Sequence, residues 1–372
     1  MKDYSLFLLL AVVLCVIGCT ERTPRQVVTP WGEITDSIPD EGAFDLQQIQ
    51  VNGELIMLTM NGPSTCYEYK GKKLGAHYLL CRKFADKMGV GLRVEICKDT
   101  LEMLRRLASG EGDIIAFPVT DAIYNKVKGS LVRCGVTTDT LHTGWLSTSE
   151  KPQLVEALNQ WYRPRLLDEV KREERYLLST ASVKRRVFAP MLDARRGIIS
   201  RYDHLFITHA MSIGWDWRLM AAQCYQESTF DPRAHSWAGA CGLMQIMPST
   251  ADLLGLPLSK IYDPAQNIAA AARYLKMLEG KMSDIRLRSE RIRFVLACYN
   301  GGYHRVRDAM ALARRDGKNP HSWNEVSKYV LLLSQPRYYN DPLVKYGYMR
   351  GSETVDYVYR IEQRWKSYRS RR

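Results

Sequence analysis

The spacing of hydrophobic positions divides the chain into two regions with different predicted structures. In the first region, short apolar runs that predict strands alternate with patterns that predict helices. The predicted strands lie at 55–59, 92–96 and 114–117, and the predicted helices lie at about 78–88, closed by Gly89, and at 101–107. Because strands that alternate with helices are typical of parallel sheets, this region is predicted to form a small α/β lobe.

After Gly197 the apolar positions recur at helical spacing almost to the end of the chain. The predicted helices lie at about 200–213, 215–227, 249–254, 265–278, 292–298, 303–314, 323–333 and 354–365, and prolines punctuate them at 248, 257, 264, 320 and 342. This region is predicted to be a mainly α domain without internal repeats. The whole chain is therefore predicted to be an α+β multidomain protein, a small α/β lobe followed by a mainly α domain.

Two further segments are predicted to be connections. Residues 19–45 contain three prolines among polar residues and show no clear period, which predicts a flexible tether. Residues 164–196 are highly charged, with apolar residues partly at helical spacing, which predicts a charged helical connector.

The chain of 372 residues has a formal charge of +13. Much of the excess lies in lysine and arginine clusters at 171–175, 184–186, 286–293 and 366–372. Such a balance suits an anionic polymer or surface. The chain shows no zinc-finger spacing, RNA-binding signature or recognisable DNA-reading helix, so nucleic acid is not the predicted partner. Peptidoglycan, whose stem peptides carry carboxylates, fits this charge, and a solvated basic surface explains it equally well.

The first residues carry the pattern of an export signal. Lys2 precedes an apolar run at 6–17, which is short for a membrane span and has the length of a signal-peptide core. The run leads into Gly18-Cys19, which resembles a lipobox with Cys19 as the acylated first residue of the mature chain. This predicts a lipoprotein signal peptide at 1–18 and a lipid anchor in a membrane. The alternative is a buried cysteine in an N-terminal anchor helix.

Seven of the nine cysteines lie beyond the export segment. They are Cys66, Cys81, Cys97, Cys134, Cys224, Cys241 and Cys298. An odd number without Cys-x-x-Cys spacing argues against a zinc site and against a paired disulfide framework. Most of these residues are therefore predicted to be buried thiols, and no metal or cofactor is expected.

The first region also contains motifs of a known family. They are Gly53-Glu54-Leu55, Lys70-Gly71, Phe84-Ala85-Asp86-Lys87-Met88-Gly89 and Gly110-Glu111-Gly112-Asp113-Ile114. These residues resemble the first lobe of the family 3 extracellular solute-binding proteins. Such proteins normally insert a second lobe, but too few residues follow Pro118 to build one before the segment at Gly144 that resembles the return to the first lobe. Residues 46–163 are therefore predicted to be a reduced lobe that serves as a spacer or as a contact surface for cell-wall proteins.

One carboxylate stands at the end of an apolar helical stripe. Trp217, Met220, Cys224 and Glu227 recur at i, i+3, i+7 and i+10, which places them on one face of a helix. Desolvation should raise the pKa of Glu227, as a general acid that works near neutral pH requires. The alternative is a glutamate at a helix end that pairs with a lysine or arginine.

A series of ordered motifs runs through the second region. They include Gly214-Trp215-Asp216-Trp217, Gln226-Glu227-Ser228, Phe230-Asp231-Pro232, Ser236-Trp237-Ala238-Gly239, Gly242-Leu243-Met244-Gln245-Ile246-Met247-Pro248 and Tyr299-Asn300-Gly301-Gly302. These motifs resemble the soluble lytic transglycosylase domain of glycoside hydrolase family 23, which implies a lysozyme-like fold for 197–372. The later run Tyr338-Tyr339-Asn340-Asp341-Pro342, with Glu353-Thr354 and Tyr357, is similar to the membrane-bound lytic murein transglycosylase F branch.

The resemblance implies roles for individual residues. Glu227 would be the catalytic acid and then the base, and Tyr299 would meet it across the cleft. The residues implied to contact or line the sugar are Ser236, Gln245, Met247, Tyr299, Asn300 and Tyr357. Each also has a structural interpretation, since Met247 could fill the core and the tyrosines could be packing aromatics.

The resemblance further implies a reaction that needs one carboxylate and neither metal nor cofactor. Glu227 would protonate the glycosidic oxygen between N-acetylmuramic acid and N-acetylglucosamine, while the 2-acetamido group stabilises the positive charge. Its carboxylate would then deprotonate the C6 hydroxyl, which attacks C1 to give 1,6-anhydromuramyl ends. The implied location is the periplasmic face of a Gram-negative membrane, with the outer membrane favoured over the inner.

Two alternative functions stay open at this point. A lysozyme-type hydrolase of the same fold would use Asp231 or Asp252 to hold water, although Asp231 precedes Pro232 and is typical of a turn. A non-catalytic wall-binding lipoprotein would use the N-terminal lobe for interaction.

Overall fold

The computed structural model describes residues 27–29, 32–34, 45–138 and 143–370. The chain divides into two compact units, residues 1–44 and 45–372. In the first unit, β1 (Val27–Thr29) and β2 (Gly32–Ile34) pair antiparallel. The predicted tether at 19–45 therefore contains a paired segment, which its β-branched residues favour. The predicted signal peptide and Cys19 lie outside the described residues.

The second unit begins with the predicted lobe. Its strands are β3 (Glu54–Thr59), β4 (Tyr67–Tyr69), β5 (Lys72–Leu74), β6 (Gly91–Ile96), β7 (Ile114–Thr120), β8 (Leu131–Thr138) and β9 (Thr143–Thr148). Its helices are α1 (Leu46–Asn52), α2 (Ala76–Met88), α3 (Thr100–Ala108), α4 (Asp121–Val127) and α5 (Pro152–Trp161). The strands and helices predicted from the periodicity are all present, with ends that differ by a few residues.

Five of these strands form one sheet in the order β6-β3-β7-β9-β8. The three strands predicted from the sequence pair parallel, with β3 between β6 and β7. Parallel pairing is possible because the helices α2 and α3 provide the crossover connections. β9 pairs antiparallel with both β7 and β8, so the predicted parallel sheet is in fact mixed. The reason is the short connection between β8 and β9, which is sufficient only for antiparallel pairing.

The connector is helical only in its first half. The helix α6 (Pro164–Leu177) and a 3₁₀ turn at Thr180–Ser182 are followed by an irregular segment up to residue 202, which includes a turn at 194–197. This segment pairs through its backbone with the loop after Glu227, because Lys184 and His235 exchange both amide hydrogen bonds at 2.9 Å. The prediction of a helix over the whole of 164–196 is therefore wrong after Leu177, since Pro190 and Gly197 disfavour helix there.

The second region is helical, as predicted. Its helices are α7 (Asp203–Ile213), α8 (Trp217–Ser228), α9 (Pro248–Leu253), α10 (Pro264–Lys281), α11 (Arg288–Gly301), α12 (Tyr303–Arg315), α13 (Trp323–Leu332), α14 (Pro336–Tyr339) and α15 (Gly351–Ser370). Every predicted helix is present. The sequence did not predict α14, because four residues are too few to show a helical period.

The last helix brings the end of the chain to the centre of the helical domain. α15 packs against α8, α11 and α13. Its buried residues Thr354, Tyr357, Val358 and Ile361 recur at i, i+3, i+4 and i+7, which makes one continuous buried face. This packing places Tyr357 beside the end of α8.

The start of α15 depends on close contact with α13. A Cβ atom added to Gly351 would lie 1.8 Å from the carbonyl oxygen of Val330, which is backbone and cannot move aside alone. We expect Gly351→Ala to lower the free energy of unfolding by about 3 kcal/mol, at the upper end of the usual cost of overpacking. Denaturant unfolding would measure the change.

A matched control is available within α10. A Cβ atom added to Gly280 meets nothing within 4 Å, so Gly280→Ala should be neutral or stabilising by up to about 1 kcal/mol. Equal effects of the two substitutions would contradict the proposed contact at Gly351.

The seven cysteines predicted to be thiols are all buried and free. This confirms the prediction of buried thiols in the part of the chain that the structure describes. No helix within 45–138 or 143–370 has both the length and the apolar composition of a membrane span.

Candidate active site

Glu227 lies in the last turn of α8, at the end of the predicted apolar face. Met220 and Cys224 on that face are completely buried, and Trp217 packs against the same core. The helix ends at Thr229, whose φ of +53° turns the chain away. The face predicted from the spacing is therefore present, with a half-buried carboxyl at its end.

The surroundings of this carboxyl favour its protonated form. Burial is the largest influence and raises the pKa of Glu227 above its usual value. The opposing influences are the positive charge of Lys70, a hydrogen bond from Tyr357 and the positive charge of Arg185, while the negative charge of Glu353 adds to the rise in pKa. A carboxyl with a raised pKa can hold a proton near neutral pH and donate it, as a general acid must.

Tyr357 is the residue that touches the acid. Its hydroxyl donates to Oε1 of Glu227 at 2.5 Å, and its oxygen accepts a hydrogen bond of 3.1 Å from Nε2 of Gln223. Gln223 lies one helical turn before Glu227 and is fully buried. The chain Gln223–Tyr357–Glu227 therefore fixes the direction in which the carboxyl points.

Tyr299 lines the first part of the cleft together with Glu227, and its hydroxyl bonds to the backbone instead of to the acid. Its hydroxyl donates to the carbonyl of Met244 at 2.7 Å, and its ring packs on Tyr274 with centroids 5.3 Å apart. Among the described residues no hydrogen bond joins Tyr299 to Glu227, although the negative charge of Glu227 helps burial to raise the pKa of Tyr299. Tyr299 thus anchors the opposite wall of the cleft near the acid, and Tyr357 makes the direct contact.

The cleft around Glu227 has two chambers. The first chamber, of about 350 Å³, is lined by Gln245, Met247 and Tyr299 among others. The second chamber, of about 240 Å³, is lined by Ser236, Trp237 and Tyr357 among others. Three residues line both chambers, namely Lys70, Glu227 and Asn300. A polymer that passes through both chambers would therefore pass the carboxyl of Glu227.

A rigid loop shapes the first chamber. Gln245 has a positive φ of +49°, and its side-chain amide donates to the carbonyls of Ala234 and Gly242 at 3.1 and 3.0 Å. The fully buried Asn267 accepts a hydrogen bond of 2.8 Å from the amide of Met244. These bonds hold the loop without the help of regular secondary structure.

The other predicted residues also lie at the cleft. The buried Ser236 accepts a hydrogen bond of 2.9 Å from the amide of Ala240, which closes a tight turn at the second chamber. Asn300 accepts a hydrogen bond of 2.8 Å from the hydroxyl of Thr354. The structure therefore gathers Glu227 and the six predicted sugar-contacting residues at one site. Cys19 lies outside the described residues.

The two aspartates considered for a hydrolase lie elsewhere. Asp231 is buried, and its carboxylate accepts hydrogen bonds from the amides of Arg186 at 2.5 Å and Arg233 at 3.0 Å. Asp252 is exposed on α9. Neither residue lines either chamber, and the bonds of Asp231 are those of a turn residue, as its place before Pro232 suggested.

Sequence reasoning did not identify Gln223, Arg185 or Lys70 as residues that surround Glu227 or its partner Tyr357. Gln223 could have been found from its helical spacing, since it precedes the acid by four residues. Arg185, which donates to the carbonyl of Glu227 at 3.1 Å, lay in a segment interpreted as solvated connector. Lys70 gave no sequence signal of this kind, because it belongs to the N-terminal lobe. No group of three or more histidine, cysteine or acidic side chains in the described residues is arranged to hold a metal ion.

Comparisons with known proteins show which proteins this chain resembles. Residues 204–322 match the family described as Transglycosylase SLT domain. The membrane-bound lytic murein transglycosylase F of Yersinia pestis is 35% identical over 270 residues, which cover 72% of this chain and 54% of that protein. The chain thus spans about half the length of this curated relative.

Two solved structures resemble separate parts of the chain. The 70 kDa soluble lytic transglycosylase Slt70 of Escherichia coli is 24% identical, with a TM-score of 0.34, and the match covers 45% of this chain and 24% of that one. The arginine-bound form of domain 1 from TmArgBP is 19% identical, with a TM-score of 0.27, and the match covers 33% of this chain and 97% of that one.

Proposed function

We propose that this chain, which carries a transglycosylase SLT domain and is similar to the membrane-bound lytic murein transglycosylases F, is itself a peptidoglycan lytic transglycosylase. The observation that carries the proposal is the half-buried carboxyl of Glu227, which lines both chambers of the cleft and is held by Tyr357. The substrate is the glycan strand of peptidoglycan. The bond cleaved is the β-1,4 bond between N-acetylmuramic acid and N-acetylglucosamine.

The first step is protonation of the leaving oxygen. The raised pKa of Glu227 keeps a proton on the carboxyl, and the contact with Tyr357 directs that carboxyl into the cleft. As the C1–O bond breaks, the 2-acetamido group of the muramyl residue stabilises the positive charge at C1. Acid–base assistance of this kind contributes roughly 10²–10⁴-fold to a rate.

The second step uses the same carboxyl as a base. Glu227, now a carboxylate, accepts the proton of the C6 hydroxyl while that oxygen bonds to C1 of the same sugar. The product is a 1,6-anhydromuramyl end, and no water is consumed. Glu227 regains its proton, so one residue is sufficient where most glycosidases use two carboxylates. The positions of Asp231 and Asp252 outside the chambers disfavour these two aspartates as the second carboxylate of a hydrolase.

Product analysis tests the function directly. We expect mass spectrometry of peptidoglycan digested with the purified protein to find anhydromuramyl ends. Reducing muramic acid ends without anhydro products would favour the hydrolase instead. Absence of any cleavage product would support a non-catalytic role in wall binding.

We also propose that the protein is a lipoprotein anchored through Cys19 on the periplasmic face of a Gram-negative membrane, preferably the outer membrane. The lobe at 46–163, which contacts the helical domain, would then act as a spacer or as a contact surface for cell-wall proteins. The support for the anchor is the apolar run at 6–17 followed by Gly18-Cys19.

We expect metabolic labelling with a palmitate analogue to mark the wild-type protein and to leave Cys19→Ala unlabelled, because only the thiol of Cys19 would accept the lipid. The substitution Cys15→Ala, within the proposed signal peptide, serves as the control and should keep the label. Equal labelling of wild type and Cys19→Ala would contradict the anchor.

A further inference from the structure

The hairpin formed by β4 and β5 has an unusual residue at its tip. Lys70 and Gly71 join the strands, and their φ angles are +47° and +72°. Positive φ at both central residues is the geometry of a type I′ turn, in which asparagine, aspartate and glycine are favoured. Lysine has no such preference, and its Cβ is crowded in this conformation.

Positive φ angles at non-glycine residues also occur beside Glu227. The non-glycine residues with positive φ in the described part of the chain are Lys70, Thr229, Phe230 and Gln245. Thr229 and Phe230 end the helix that presents Glu227, and Gln245 lines the first chamber. Because strained backbone of this kind concentrates at functional sites, the conformation of Lys70 indicates a role for its side chain.

The helical domain holds the hairpin tip in place. The hydroxyl of Tyr69 donates to the carboxylate of Glu353 at 2.9 Å, and its ring stacks on Trp237 with centroids 6.1 Å apart. Arg305 donates to the carbonyl of Glu68 at 3.2 Å. These contacts cross from the N-terminal lobe to both walls of the cleft, so they fix the tip between the chambers.

Lys70 thereby becomes a cation inside the cleft. Its ammonium group lies 3.5 Å from the carboxylate of Glu353, and its side chain is 33% exposed. Burial acts to lower the pKa of Lys70, but Tyr69, Glu353 and Glu227 raise it on balance, so the group is charged at neutral pH. An ammonium group has three donors, and a carboxylate that entered the cleft could share them with Glu353.

We propose that Lys70, supplied by the N-terminal lobe, is a specificity-determining residue that binds a carboxylate of the substrate beside the bond that Glu227 cleaves. The inference rests on the proposed function and names one more residue of that site. It follows from the place of Lys70 on both chambers together with Glu227 and Asn300. A group in this place faces the sugar residues on either side of the scissile bond.

The substrate offers a carboxylate from two sources. The muramyl residue carries a lactyl group on O3, and this group ends in a free carboxylate when the stem peptide is absent. When the stem peptide is present, its own residues carry carboxylates instead. Both sources would form a charge-assisted hydrogen bond with Lys70, which is stronger than a bond between neutral groups.

The test compares variants on three forms of glycan. These are peptide-bearing strands, strands stripped of peptide with an amidase, and stripped strands whose carboxyls have been reduced to alcohols. We expect Lys70→Ala to raise KM about tenfold on at least one carboxylate-bearing form, with a smaller change in kcat. On the reduced form it should resemble the wild type. The carboxylate-bearing form that shows the effect identifies the source.

Control variants separate binding from folding. Lys72→Ala removes an exposed lysine of the same hairpin that lines neither chamber, and it should leave KM unchanged. Lys70→Arg should retain most of the affinity. Lys70→Gly removes the steric strain of the positive φ, so it should keep or raise the thermal midpoint. It should also raise KM. A purely structural role of Lys70 would not produce this combination.

Three outcomes would overturn the inference. They are an unchanged KM for Lys70→Ala on both carboxylate-bearing forms, an equal loss on the reduced form, and cleavage faster than that of the wild type. Each is measured against a wild type that produces anhydromuramyl ends. If the wild type gives no such ends, the proposed function itself fails, so the two failures are distinguishable.

Discussion

Glu227→Gln is expected to reduce turnover of peptidoglycan by at least about a thousandfold, because the same carboxyl serves as acid in one step and as base in the next. The amide is nearly the same size and cannot transfer the proton. Release of anhydromuramyl products from purified sacculi measures the loss. The thermal midpoint should stay the same or rise, since burial of this carboxyl in its charged form is unfavourable.

Asp252→Asn is the matched control for this substitution. Asp252 is exposed on α9 and lines neither chamber, so its loss should leave turnover within about twofold of the wild type. A large loss of activity in Asp252→Asn would revive the hydrolase mechanism. Unchanged activity in Glu227→Gln would refute the assignment of the acid.

Tyr357→Phe is expected to lower the rate by about tenfold to a hundredfold at neutral pH. The hydroxyl donates to Glu227 at 2.5 Å, and this bond is strongest when the carboxyl is charged, as it becomes after proton transfer. Loss of a hydrogen bond to a charged group costs about 1.5–3 kcal/mol. Steady-state kinetics on soluble glycan strands would show the loss mainly in kcat.

The pH dependence of kcat should also change in a definite direction in Tyr357→Phe. The bond from Tyr357 lowers the pKa of Glu227 and opposes the larger rise that burial causes. Without the hydroxyl the pKa rises further, so the acid keeps its proton to higher pH. The fall in kcat on the alkaline side should therefore move to higher pH in Tyr357→Phe.

Tyr359→Phe is the control for this helix. Tyr359 lies two residues further along α15, is 60% exposed and lines neither chamber. Its substitution should change neither the rate nor the profile. An unshifted alkaline limb in Tyr357→Phe would show that the hydroxyl does not act on the acid.

The individual helices and strands could be predicted because the pattern that indicates each one lies within its own residues. The spacing of apolar residues is set by the period of a helix or strand, and it gave the three parallel strands, the face that ends in Glu227 and every longer helix after Gly197. The ordered motifs around Glu227 and Tyr299 located the site because each motif is a short, continuous stretch of the chain.

The antiparallel half of the sheet and the irregular end of the connector could not be predicted in this way. Their conformations depend on backbone partners that are distant in the chain, such as His235 for Lys184. The apolar residues between 164 and 177 show a helical period, but the charged residues that follow carry no comparable signal. The hydrogen bonds that hold this segment form only when the loop after Glu227 is in place.

By itself, the sequence determined the lobe, the helical domain and the apolar helix face that ends in Glu227, and its motifs led to the proposal that Glu227 is the acid. Only the tertiary structure decided which groups meet that acid. It showed that the hydroxyl of Tyr357 donates to Glu227 while that of Tyr299 donates to the backbone, and it brought Lys70 from the other lobe to the junction of the two chambers. The physical reason is that hydrogen bonds and charges act over a few ångströms in space, whereas the sequence records only neighbours along the chain.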